Sequence, residues 1–289
     1  MNSYVPICMY PLLGNRYDEL ITASSDCDPF TGSSFINEYF GPNARSMFSF
    51  IFEHYNLKRE DEIAILTTSN ATYVSTCVSV QCFNYSKISR VVTEKTRMII
   101  LIHEYGYILD DLEALIDRWK EKGITVIEDC AHVCGLKMNN KTIGSYGDFS
   151  LYSFTKTLPG KSGGLLRTNE QIKKISFSLN DNDRIEAGIN CAKKYLQKQD
   201  WFNSERDNIA NLYRASGISI YEPTKICCPF FIGVEVNDKQ KVMETLEGIE
   251  FGGTLRSDLI YIPTNPLVEK SVHTDIIQIL KELNCDKGS

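Results

Sequence analysis

Four short runs of uninterrupted apolar character set the strongest limit on what this chain can fold into. They are Ile63–Thr67, Met98–His103 (MIILIH), Ile124–Glu128 (ITVIE) and Phe149–Phe154 (FSLYSF). A strand with one wet face alternates apolar and polar residues. Continuous runs such as these read instead as strands covered on both faces. Between the second and third lies Asp110–Lys122, with Leu112, Leu115, Ile116 and Trp119 at helical spacing, acidic residues at its start and Gly123 after its end. Asn43–Tyr55 shows a similar helical pattern. Strand, helix, strand in this rhythm predicts an α/β protein with a mainly parallel central sheet flanked by helices.

The texture changes after Leu166. Gln171–Ser216 is polar and helical in pattern and offers no strand. From Ile218 a smaller unit follows, with strands near Phe230–Val236 and Leu259–Ile262 and helices near Asp238–Leu246 and Thr274–Leu283. The expected division is a large α/β domain over residues 1–216 and a small C-terminal α+β domain over 217–289, with no repeat or low-complexity linker.

At 289 residues and 43% hydrophobic content the chain can bury a sizeable core. Its net charge of -6 contains no basic block, so no nucleic-acid or anionic-membrane partner is expected. No run approaches the roughly 18 apolar residues of a membrane span. Met1–Gly14 lacks the basic start and long apolar run of a signal peptide. A cytoplasmic location is therefore expected. The ten cysteines are scattered without a CxxC and only four histidines accompany them, so no metal site is expected and the thiols read as reduced, apolar fillers. In that compartment the sequons at Asn70, Asn84 and Asn140 are chance.

Chemistry concentrates between Val126 and Leu166. Asp129 falls just past the expected end of a buried strand, where ligands of open α/β sheets bind. A carboxylate there is costly unless it meets a cation, and a protonated pyridine nitrogen is such a cation. Lys156 follows another strand end in Ser153-Phe154-Thr155-Lys156. Desolvation there can lower its pKa enough for it to condense with an aldehyde, and Ser153 can aim a hydroxyl at a phosphate. Taken singly, each residue has a plainer reading: Asp129 as a turn residue, His132 as a core or helix-start histidine, Lys156 as a solvated surface lysine. Their combination, with the intervening chain broken by Gly135, Gly144, Gly147, Gly160, Gly163 and Gly164, carries more weight.

This constellation resembles the DegT/DnrJ/EryC1/StrS family of fold type I pyridoxal-phosphate enzymes, mostly nucleotide-sugar aminotransferases. That family carries E-D-x-A-[HQ], G-x-x-G-D, S-F-x-K and G-G elements in this order. The resemblance implies pyridoxal 5′-phosphate as cofactor, Lys156 as its Schiff-base lysine, Asp129 on its pyridine nitrogen, His132 near its phenolic oxygen and Ser153 on its phosphate. Gly147-Asp148 and Gly163-Gly164 match structural positions. More loosely, Gly41–Arg45 (GPNAR) is similar to the family's phosphate-cradling turn, placing Ala44 and Arg45 at the anion. Tyr73 in Thr72–Thr76 stands where an aromatic stacks on the ring. His103–Gly106 resembles an H-x-[FY]-G element, and Arg206 falls on an inter-domain helix.

The resemblance further implies a nucleotide-linked keto sugar as substrate, an amino-acid donor (glutamate by family habit) and a homodimer. There are departures. The chain is shorter than the family's usual length, and only NYSKISR separates Phe83 from Val91 where relatives carry another strand and an acidic turn. The Asn-x-Arg element expected after Lys156 is not recognisable, and the C-terminal unit is pared down. Two other readings stand beside aminotransfer: a catalytically retired homologue acting as a binding partner, and a sugar dehydratase, in which the lysine position is histidine.

Overall fold

The computed structural model describes Ile7 and residues 18–70, 76–172, 175–253 and 258–285. Its centre is a seven-stranded sheet made of β1 (Asn37–Gly41), β2 (Glu62–Thr67), β3 (Lys87–Ser89), β4 (Thr96–Ile102), β5 (Thr125–Cys130), β6 (Phe149–Ser153) and β7 (Gly164–Thr168). The order across the sheet is β1-β7-β6-β5-β4-β2-β3. β3, β2, β4, β5 and β6 run parallel, whereas β7 is antiparallel to both β6 and β1.

Both faces of this sheet are covered, as the continuous apolar runs require. Ile99, Leu101 and Val126 pack on one side with Leu112, Ile116 and Trp119 of helix α4 (Leu112–Glu121). Met98, Ile100 and Ile127 point the other way, towards Phe48, Ile51 and Phe52 of α2 (Phe48–His54) and Val78 and Cys82 of α3 (Thr76–Tyr85). The remaining helices of this part are α1 (Asp18–Ala23), the single turn α5 (Phe154–Thr157), α6 (Asn182–Tyr195) and α7 (Gln199–Ala215).

Past α7 lies a three-stranded antiparallel sheet of β8 (Ile220–Tyr221), β9 (Phe231–Glu235) and β10 (Leu259–Pro263), with α8 (Lys239–Thr245) and α9 (Lys270–Cys285). Asp238 caps α8 by accepting the Lys241 N–H at 3.0 Å. Its core joins Ile232, Val234, Ile260 and Ile262 to Ile276 and Leu280 of α9. Ile7, from the start of the chain, and Ile209 and Tyr213, from α7, enter the same core. A second apolar cluster ties the two sheets together: Tyr105 and Tyr107 from the turn after β4 pack on Phe230, Phe231, Leu259 and Tyr261.

The sequence expectation differs from the structure at several places. β1 and β7 lack long apolar runs and were not expected as strands. The segment NYSKISR does hold a strand, β3, correcting the expectation of a missing one. The expected helix over Asn43–Tyr55 begins as a 3-10 turn at Arg45–Met47 before α2. Asp129 lies inside β5, paired with Ile102 and Leu151, instead of beyond its end. Among the described residues, the eight cysteines at 27, 77, 82, 130, 134, 191, 227 and 228 are free thiols. No helix of the described residues is long and apolar enough to cross a membrane.

Candidate active site

The carboxyl ends of β4, β5 and β6 open onto a cleft of about 310 Å³, and Asp129, His132, Ser153 and Lys156 all line it with Ala44 and Arg45. Tyr73 lies outside the described residues. The cleft is built outward from one buried carboxylate, Glu128, which is fully enclosed. Its Oε1 accepts the N–H groups of Tyr146 and Gly147, each at 2.7 Å. Its Oε2 accepts the Gly144 N–H at 3.0 Å and lies 3.0 Å from His103 Nε2. Burial by itself raises such a carboxyl. The His103 hydrogen bond and charge, with the Gly147 and Tyr146 amides, outweigh it and hold Glu128 below its usual range. Cys130 Sγ lies within 4.8 Å of donor atoms on His103 and Glu128, but both Glu128 oxygens are already engaged.

Asp148 fixes the far end of the same loop. Its carboxylate accepts the Val126 N–H at 2.7 Å and pairs with Lys120 at 3.4 Å, while Lys120 Nζ donates to the Tyr146 and Gly147 carbonyls at 2.7 and 3.0 Å. Loop 143–148 is thus pinned to β5, and β5 in turn is pinned in depth. Asp129, next to Glu128 and on the opposite face of the strand, comes out at the cleft floor. Its Oδ1 accepts the Ala131 N–H at 3.0 Å. Burial raises its carboxyl above the usual value, opposed by the charge of Lys156. It is therefore a carboxyl whose environment favours a closely placed cation.

Lys156 stands on α5, whose preceding residue pair Ser153–Phe154 turns out of β6. Ser153 Oγ lies 3.2 Å from Thr155 Oγ1, so two hydroxyls share this corner. Lys156 Nζ lies 3.1 Å from His132 Nε2. Burial lowers the lysine's pKa, opposed by Asp129 and Cys77. The backbone beneath it is held by Arg206, whose Nη2 donates to the Lys156 carbonyl at 3.0 Å.

The turn at Pro42–Arg45 closes one end of the cleft. Asn43 Oδ1 accepts the Ser46 N–H at 2.9 Å, shaping the turn, and the Gly163 N–H donates to the Pro42 carbonyl at 2.9 Å. Two glycines make this approach feasible. Gly163 has φ of +104°, and a Cβ on Gly164 would stand 2.3 Å from the Ala44 nitrogen. Arg45 reaches Cys77 Sγ at 3.0 Å, and Lys161 and Arg184 add two further exposed cations to the rim. These last three residues, and Glu104, were not singled out from the sequence. They belong to no motif beyond the H-E-Y-G quartet, and only the fold brings them to the cleft. Glu104 accepts from the Ser69 hydroxyl, and burial raises its carboxyl.

The seven-stranded sheet with its single antiparallel strand is a fold shared with solved aminotransferase structures. The chain superposes on the aminotransferase TlmJ from Streptoalloteichus hindustanus with a TM-score of 0.75 at 13% identity, covering 98% of this chain and 100% of that one. It matches the PLP form of the putative sugar aminotransferase Spr1654 from Streptococcus pneumoniae at 0.72 and 14%, over 98% and 99% of the two chains. Residues 62–183 match the model of the DegT/DnrJ/EryC1/StrS aminotransferase family. Similar over part of its length is GDP-perosamine synthase of Escherichia coli O157:H7, 38% identical over 88 residues, 30% of this chain and 24% of the relative. The L-glutamine:scyllo-inosose aminotransferase of Streptomyces griseus is 33% identical over 91 residues, 31% of this chain and 21% of the relative. The matched region thus spans about a quarter of the curated relatives' length.

Proposed function

We propose that the chain is a pyridoxal 5′-phosphate-dependent aminotransferase that transfers an amino group from an amino-acid donor, glutamate, to a nucleotide-linked keto sugar. The observation that carries this reading is the placement of Lys156 Nζ in one cleft with Asp129, Ser153 and the Pro42–Arg45 turn. The residues present suit the cofactor: a turn and two hydroxyls for an anion, a buried carboxyl short of a cation, and an amine with lowered pKa.

Bound there, pyridoxal phosphate supplies an aldehyde that receives the amino group and a pyridine ring that withdraws electrons from it. Lys156 would anchor the group, and its Nζ, when free, would take the donor's α-proton and return it, as general base and then acid. Asp129 would supply the negative charge that a cationic ring nitrogen needs. Ser153 and the amides near Ala44 and Arg45 would hold the phosphate. His132 would offer a hydrogen bond to the cofactor from the same cleft. Arg45, Lys161 and Arg184, lining the cleft, favour an anionic substrate such as a sugar nucleotide. A cytoplasmic homodimer is the assembly that the family resemblance implies for this chain.

Purified protein mixed with pyridoxal phosphate should turn yellow, and L-glutamate or L-glutamine should bleach it. Lys156→Ala should abolish both changes. Colour and bleaching that survive in the variant would refute the assignment.

A further inference from the structure

The hydrogen bonds around His132 constrain where its proton sits. The Tyr105 backbone N–H donates to His132 Nδ1 at 3.4 Å, so Nδ1 must offer a lone pair. A neutral ring then carries its proton on Nε2, the atom 3.1 Å from Lys156 Nζ. An Nε2–H facing an ammonium would set two donors against each other. Facing a free amine, it has a lone pair to bond.

The surroundings hold the ring neutral. Phe230, fully buried, stacks on His132 with centroids 4.8 Å apart and planes 28° from parallel. The Arg206 guanidinium lies 4.7 Å from the other partner in this stack, the Phe230 ring. Arg206 is itself buried and anchored twice, to the Lys156 carbonyl and to Thr264 through its carbonyl at 3.2 Å and hydroxyl at 3.3 Å. Burial above all, with the charge of Lys156 while it is an ammonium and that of Arg206, pushes the His132 imidazole well below its usual pKa. The acceptor geometry at Nδ1 depends on Tyr105, whose backbone is held in the left-handed region at φ +54° by the turn through Gly106.

We propose that Tyr105, Phe230 and Arg206 act together as a tautomer lock on His132, fixing its proton on Nε2 so that the ring holds the Lys156 amine as the free base. The ammonium's proton leaves to solvent through the cleft. Asp129 from β5 and Cys77 from α3 face the same amine and favour its charged form, so the lock works against them. Arg45, Lys161 and Arg184 line the same cleft, as does Glu104. Tyr105, Phe230 and Arg206 are positioning residues, since they reach the amine only through His132 or the lysine's backbone. Phe230 and Thr264 belong to the C-terminal part of the chain, so this part sets the protonation of a lysine carried by the large sheet.

The inference rests on Lys156 being the cofactor-anchoring amine, but its test needs no cofactor. Nitrogen-15 spectra of histidine-labelled full-length protein resolve the chain's four histidines, with His132 assigned by its loss in His132→Gln. The expected signal is a neutral ring protonated on Nε2 that does not change between pH 8 and 5. In Arg206→Met the ring should begin to titrate within that range, a shift of about tenfold or more in proton affinity, and Arg206→Lys should restore the original behaviour. Should Arg206→Met not fold, the wild-type spectrum alone decides. A ring protonated on Nδ1, or an imidazolium at pH 7, overturns the lock. So does an Arg206→Met spectrum identical to the wild type. If the protein shows the Nε2 tautomer yet never colours with pyridoxal phosphate, the lock stands and the functional reading fails.

Discussion

Gly164 and Ala44 meet backbone to backbone: a Cβ on Gly164 would lie 2.3 Å from the Ala44 nitrogen and 2.5 Å from the Asn43 carbonyl carbon. Neither atom is the flexible end of a side chain, so nothing can yield cheaply. Gly164→Ala should therefore push the Pro42–Arg45 turn off the sheet. We expect a loss of about 1–3 kcal/mol of stability by denaturant titration and a weakening of pyridoxal-phosphate binding by roughly tenfold or more. A variant with unchanged affinity would show that this turn does not hold the phosphate.

Asp129 trades stability for function. Burial raises its carboxyl above the usual value in the protein without cofactor. The folded state then binds a proton more readily than the unfolded one, so ionised Asp129 costs stability at pH above that raised value, and the cost vanishes below the unfolded one. Asp129→Asn removes the cost. At pH 7 the cofactor-free variant should melt about 2–4 °C higher than the wild type, while transamination falls about a hundredfold or more for want of the charge opposite the ring nitrogen. A fall in both stability and activity would argue for a merely structural aspartate.

Glu128 has the opposite sign. Its carboxyl is held below the usual range despite burial. It contributes stability fully present above the unfolded carboxylate's pKa, which is lost as pH falls through the lowered folded value. Glu128→Gln sets an amide N–H₂ against backbone donors and should cost about 2–4 kcal/mol at pH 7. Below roughly pH 4 the difference from wild type should shrink. Thermal melts across that range check it, and a pH-independent difference would contradict the pairing with His103.

Gly106 makes the close contact that fixes the turn after β4. It has φ of +86°, and a Cβ there would stand 2.0 Å from the Cys228 carbonyl oxygen. Gly106→Ala should destabilise by about 1–3 kcal/mol. Because Tyr105 precedes it, the variant should also slow the rise of yellow colour on adding pyridoxal phosphate, read by stopped-flow absorbance. Equal rates would separate the turn from the amine.

The sequence announces those parts of the fold that physics writes as local pattern. β2, β4, β5 and β6 are largely buried on both faces and so are mainly apolar. α4 is half-buried and so has an apolar stripe. β1 and β7 escape notice because a five-residue strand such as Gly164–Thr168 contains a glycine demanded by the Ala44 contact and a buried arginine, Arg167, paired with Glu38 at 2.9 Å. The grouping of Asp129, His132, Ser153 and Lys156 in one cleft is legible because they lie within one segment whose order resembles a family. Glu104, Cys77, Lys161, Arg184 and Phe230 come from five separate stretches, and only the tertiary fold reveals that they share the cleft or touch His132.

The edge strand β1 gives the assembly an order in time. Among the described residues it pairs only with β7, so Glu38 waits for Arg167, 129 residues later. The Pro42–Arg45 turn hangs from the end of β1 and rests on Gly163 and Gly164. On a chain emerging from the ribosome, strands β2 to β6 can pair while residues 37–45 remain unplaced, and long-range closure comes last. The amine of Lys156 is thus placed before the Pro42–Arg45 turn that shares its cleft, and a nascent chain has no complete cleft to offer a ligand until the large sheet is all but complete.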